Sequence, residues 1–178
     1  EGTPMDMTKD IGGGPYVCPY RWRPLTWKID TVHTYFNERA TSTQQTGFSF
    51  VAQSRGLLPN PIGGIFWFGV DDTYSTVYAP MYCGILAVPP NYAVGNGSMM
   101  EFSDSSLFWI FNQVSNFAYT RYKDIIPEIL TVQKELETSF FEEVKNIDEQ
   151  AVEMYKQNPD EARKFLTEYS LSKANRRF

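Results

Sequence analysis

The feature that most constrains this chain is the run Gly63-Gly64-Ile65-Phe66-Trp67-Phe68-Gly69-Val70, closed by Asp71-Asp72. It is far shorter than the roughly 18–20 apolar residues of a membrane span, and no other run comes closer to that length. It is also too apolar for a solvated surface. A short apolar stretch between a glycine pair and an acid pair reads as a strand buried on both faces. Whatever surrounds it must supply layers to bury it against.

The neighbouring stretches fit that demand. From Gly47 the period is two, with Phe48, Phe50 and Ala52 on one face and Ser49, Val51 and Gln53 on the other. After Asp71-Asp72 a third strand is expected over Tyr74 to Ala79. A fourth is expected over Cys83 to Val88, ended by Pro89-Pro90, which gives an antiparallel meander. The period then becomes helical. Ser103 is the expected N-cap of a buried helix carrying Leu107, Ile110, Phe111, Val114, Phe117 and Ala118, with Trp109 beside the stripe. A second helix carries Ile125, Ile129, Val132, Leu136 and Phe140, with Pro127 admissible only in its first turn. A third, short one carries Ile147, Ala151 and Met154. The last starts at Asn158 as cap, with Pro159 at its first position and Asp160 and Glu161 in its first turn, and turns Ala162, Phe165, Leu166 and Tyr169 inward.

Charge follows the same division. Residues 1–115 carry 6 basic and 9 acidic side chains, and the shorter stretch 116–178 carries 10 and 12, the density of helices with one solvated face. The expected organisation is an irregular aromatic-rich segment over 1–46, a sheet region over 47–100 and a helical region over 101–178. The fold class is α+β. A net charge of −5 disfavours a nucleic-acid binder, which needs a basic stripe against phosphate.

Chemistry-bearing residues are few. Gly12-Gly13-Gly14 has no P-loop lysine and reads as a turn. His33 is the only histidine, so neither a histidine-based zinc site nor paired-histidine chemistry is expected, and no cofactor is implied. Cys18 and Cys83 can pair or stay free. Neither lies in a recognisable nucleophile context, and the plain reading makes both small buried apolar residues. Asp71 and Asp72 either cap the turn after the strand or hold a cation or a substrate ammonium. Arg39, at the entrance to the sheet region, either holds a carboxylate bidentately or ion-pairs locally. Tyr16, Trp22, Trp27, Trp67, Tyr74, Tyr78 and Tyr82 either pack the core or line a sugar-binding face, which keeps a non-catalytic peptide- or saccharide-binding module as the alternative function.

Five stretches, in order along residues 1–145, resemble one family. They are Gly2-Thr3-Pro4-Met5-Asp6-Met7-Thr8, Arg21-Trp22-Arg23-Pro24-Leu25-Thr26-Trp27, Gly63 to Tyr74, Tyr78-Ala79-Pro80-Met81-Tyr82-Cys83, and Phe108-Trp109-Ile110-Phe111-Asn112-Gln113-Val114-Ser115-Asn116-Phe117-Ala118-Tyr119. They are similar to the bacterial dipeptidase D family of N-terminal-nucleophile cysteine hydrolases, related to choloylglycine hydrolase and penicillin V acylase. The resemblance implies part of an αββα fold, its antiparallel sheet covered by the C-terminal helices. It implies hydrolysis of dipeptide amide bonds by a cysteine at the start of the mature chain, whose α-amino group is the base. Neither Cys18 nor Cys83 matches that nucleophile. The resemblance therefore implies the C-terminal portion of a longer enzyme, inactive alone, whose partners are a dipeptide and the N-terminal part carrying the cysteine. Self-association and compartment stay open, since family members include exported and cytoplasmic forms. Arg39 is the closest counterpart of an arginine that assists catalysis in the acylase relatives. Asp71 and Asp72 are the candidate substrate contacts.

Overall fold

A computed structural model describes residues 8–9, 13–18, 26–28, 30–36 and 42–175. A short hairpin comes first: β1 (Thr26–Lys28) pairs antiparallel with β2 (Thr34–Phe36), and Asp30 accepts from the backbone N–H of Val32 and His33 in its turn. The main sheet has three strands in the order β3 (Phe48–Ser54), β4 (Gly64–Val70), β5 (Ala79–Tyr82), all antiparallel. The single turn α1 (Asn60–Gly63) joins the first two. Three helices follow: α2 (Leu107–Thr120), α3 (Tyr122–Gln157) and α4 (Pro159–Ala174). Among the described residues no helix is long and apolar enough to cross a membrane. The architecture is α+β, as the change of period predicts.

Register assigns the two faces of the sheet. Phe48, Phe50 and Ala52 stand opposite Val70, Phe68 and Phe66, while Val51 and Gln53 stand opposite Trp67 and Ile65. The second set faces the helices. Ile65, Trp67 and Tyr82 are buried there with Phe140, Val144 and Ala151 of α3 and Leu166 and Tyr169 of α4. The first set forms an aromatic face open at its β3 side. Phe50 lies tilted against Phe66 at 4.7 Å, Phe66 stacks on Phe68 at 5.4 Å, and Phe48 and Phe50 remain 60% and 51% exposed. The expectation that β4 is buried on both faces is thus corrected. Its alternation of buried and half-buried residues over Gly64–Phe68 shows full cover on the helix side and partial cover on the other, where Val70 at the strand's end is buried.

Other boundaries move for identifiable reasons. The third strand begins at Ala79, not Tyr74, because Asp72 winds the intervening residues into a turn. The N–H groups of Ser75 and Thr76 donate to the Asp72 carbonyl at 3.2 and 3.0 Å, and Gln133 of α3 donates to the carbonyls of Tyr74 and Thr76. The turn lies so close to β4 that a Cβ on Gly69 would stand 2.6 Å from Thr76 Cγ2, so only glycine fits. No strand forms over 83–88. Leu86 N–H is taken instead by Thr167 Oγ1, and the Gly84 carbonyl by Arg163.

In the helical region Ser106, not Ser103, is the N-cap of α2; the Ser103 hydroxyl bonds Asn96 and Ser105 in the preceding loop. That helix is only partly buried, with Phe117 66% exposed. The second and third expected helices are one continuous α3, and Pro127 lies in its second turn rather than its first. The start of α4 is as read: the Asn158 side chain accepts from Asp160 and Glu161 N–H, and Ala162, Leu166 and Tyr169 are buried.

Candidate functional site

Where β4 ends, the chain turns through Asp71, whose φ of 64° is in the left-handed region that an L residue occupies only when held there. Its N–H donates to the Gly47 carbonyl at 2.8 Å, which carries the ladder one pair beyond the strand. Both carboxylates that follow are buried, at 2% and 1% exposure. Asn112, Ser115 and Tyr119 share one face of α2. Asn112 Nδ2 donates to Asp71 Oδ1 at 3.0 Å, and the Ser115 hydroxyl to Asp71 Oδ2. Tyr119 Oη donates to Asp72 Oδ2 at 2.8 Å, and Ser75 Oγ to the same oxygen at 3.3 Å. Asp72 Oδ1 accepts two long bonds of 3.3 Å each, from Ser42 Oγ and from Tyr74 N–H.

A third segment closes the corner. The turn over residues 13–18 is wound by positive φ at Gly14 and Val17, and Cys18 N–H donates to the Gly13 carbonyl at 2.9 Å. The Tyr16 carbonyl receives Lys123 N–H from the start of α3, which seats the turn on the α2–α3 junction. Burial, with the Asp72 charge added, pushes the Cys18 thiol up to about 11. At neutral pH it is a thiol, the poorly nucleophilic form. Burial likewise raises the Asp72 carboxyl above its usual range; its hydrogen bonds to Tyr74 and Ser75 oppose this and the Asp71 charge adds to it. The Tyr119 phenol is raised by burial and by Cys18.

Among the described residues every donor to the two carboxylates is neutral. The corner is therefore a hydrogen-bonded acid pair that ties α2 and residue 42 to the end of β4, with the 13–18 turn beside it. Its most replaceable bonds are the two long ones at Asp72 Oδ1. The candidate residues Asp71 and Asp72 thus meet in one cluster with Cys18. Arg39 lies outside the described residues. Cys18 and Cys83 are both free, and contrary to the plain reading Cys83 is exposed and Cys18 only half-buried.

Sequence reasoning missed a second polar cluster. Arg55 donates to the carbonyl of Ile62 at 2.6 Å and pairs bidentately with Asp148 of α3, which also accepts from Tyr82 Oη at 2.7 Å. Arg55 and Asp148 are 93 residues apart, and no local signal links them.

An α+β domain of this kind, with a buried acid corner joining its sheet to its first long helix, falls within a class of hydrolases identified by sequence profile. The profile of peptidase family C69 matches residues 1–135, which include every residue of the acid corner. The chain belongs to peptidase family C69 and is a cysteine-peptidase-type hydrolase of that family. No curated protein matches it.

Proposed function

We propose that this chain is the C-terminal part of a cysteine dipeptidase whose nucleophile, an N-terminal cysteine, lies in a preceding part of the same enzyme. The observation that supports the reading is the partly open aromatic face of the sheet, where Phe48 and Phe50 are exposed. Phe48, Phe50, Phe66 and Phe68 form a stacked apolar layer of the kind a soluble domain covers, and an N-terminal part packing there would complete a sandwich. Cys18 does not fit the nucleophile's role: burial beside the acid corner holds it as a thiol. In this reading Asp72 receives the substrate ammonium, which displaces the long bonds from Ser42 and Tyr74, while Asp71 fixes α2. Arg39, the counterpart by resemblance of the acylases' arginine, assists catalysis in this reading.

The test compares two preparations. The native polypeptide containing this chain is expected to hydrolyse dipeptides and to be alkylated at an N-terminal cysteine; the 178-residue chain is expected to do neither. Dipeptide turnover by the isolated chain, abolished by Cys18→Ser or Cys83→Ser, would overturn the reading.

A further inference from the structure

Of the nine asparagines in this chain, only Asn96 is followed by glycine. That dipeptide is the one most prone to cyclise, because a residue without a Cβ leaves its backbone nitrogen open to the preceding side-chain amide. The fold demands the glycine. Gly97 has a φ of 78°, and a Cβ there would stand 3.0 Å from Ser103 Cβ and 3.1 Å from the Glu101 carbonyl oxygen, so any side chain is strained.

The fold uses the asparagine as fully. Asn96 Nδ2 donates to the Pro90 carbonyl at 3.2 Å and to the Ser105 carbonyl at 3.1 Å. Its Oδ1 accepts from the hydroxyls of Ser103 at 2.7 Å and Ser105 at 2.9 Å. The amide thus engages both of its N–H donors and both of its lone pairs, and draws the two ends of the 90–105 loop together. A carboxylate has no N–H for the two carbonyls and would turn a negative oxygen toward them. Nearer the loop's tip, Trp109 of α2 donates its indole N–H to the Ser98 and Glu101 carbonyls, both at 3.1 Å.

We propose that Asn96 is a deamidation site, guarded while this loop is closed, and that its conversion unlatches the loop for good. The Gly97 nitrogen loses its proton and bonds to Asn96 Cγ, the Cγ–Nδ2 bond breaks, and ammonia leaves. Water then opens the succinimide at either of its ring C–N bonds, giving aspartate or isoaspartate with no change of oxidation state. The closed loop opposes the attack, since four hydrogen bonds fix the planar amide that the attack must turn and pyramidalise. Once the carboxylate has formed, the same loop has lost the two donors that joined the Pro90 carbonyl to that of Ser105, the residue before the N-cap of α2. The inference is independent of the dipeptidase reading, because none of these residues belongs to the acid corner.

Ageing the 178-residue chain in mildly alkaline buffer, with peptide mass spectrometry, reads the conversion directly. Asn96 is expected to convert before the other asparagines, and at least about tenfold more slowly in the folded chain than in urea. Ser103→Ala and Ser105→Ala each remove one guarding hydroxyl and are expected to speed conversion in the folded chain. The Asn96→Asp chain and the aged fraction are both expected to show roughly tenfold faster amide hydrogen exchange over residues 96–106, with α4 unchanged. Equal conversion rates in the folded chain and in urea would overturn the proposal. Slower conversion in both serine variants would do the same, because the hydroxyls would then be stabilising the oxyanion of the attack. So would unchanged exchange over 96–106 in the Asn96→Asp chain. If that variant fails to fold, the aged wild-type fraction, set against the fresh chain, decides the point.

Discussion

The two faces of β4 carry nearly equal apolar content and have opposite fates. Ile65 and Trp67 lie under α3 and α4; Phe66 and Phe68, one residue along, are half-buried against each other, Phe48 and Phe50, with the edge of Tyr92 and the margin of the core reaching Phe68 alone. The buried face shows that α4 and the second half of α3 are integral to the fold, although the family match stops at residue 135, inside α3. The open face shows that apolar side chains in a strand do not by themselves produce burial. A layer must be present to receive them.

Truncation after residue 135 would break this comparison most severely. It removes Phe140, Val144, Leu166 and Tyr169, each worth ~1.5–3 kcal/mol of burial against a total stability of ~5–15 kcal/mol. The truncated chain is expected to show no cooperative thermal transition by calorimetry. Next in size is Leu166→Ala, at a site with 0% exposure, expected to cost about 2–5 kcal/mol in urea unfolding. On the other face Phe50→Ser should change stability by no more than about 0.5 kcal/mol in the monomer, and a large loss there would mean the face is already covered. Between these lies Arg55→Ala, which strands the Asp148 carboxylate and the Ile62 carbonyl, and is expected to cost about 2–4 kcal/mol by the same measurement.

The smallest effect concerns pH. Because burial raises the Asp72 carboxyl, the native chain binds this proton more tightly than the unfolded chain. Its contribution to stability is present in full below the ordinary value of 3.8 and is lost as pH climbs through the raised native value. Asp72→Asn should therefore flatten the fall in melting temperature above that pH, as followed by circular dichroism. An unchanged slope would show that Asp72 is ionised throughout.

Much of the buried layer is legible in the sequence because its cues are local. Asn158-Pro159-Asp160-Glu161 starts α4 unaided, and the Ile65–Val70 run can only be a strand at that length. What escapes reading depends on distant partners. The turn that delays β5 is capped by Gln133, 57 residues beyond Thr76. The junction expected between two helices after Phe140 is absent because no glycine or proline interrupts residues 128–157. In the candidate site Asp71-Asp72 is visible as a pair. That its donors would be Asn112, Ser115 and Tyr119 follows only when α2 is laid across the end of β4.

One consequence of α3 concerns strand alignment. Its 36 residues make a rod of about 54 Å, seated beside the acid corner at its start and clamped to Arg55 further along. The β3–β4 hairpin is tied to this rod at its Arg55 end, and the turn that follows β4 is tied to it through Gln133. Sliding one strand past the other by a residue would move it about 3.3 Å and exchange every inward side chain for an outward one. Such a slip has to break the Asp71–Gly47 bond at one end and the Arg55 clamp at the other. The helix thus acts as a gauge that keeps Trp67 inward and the phenylalanines outward.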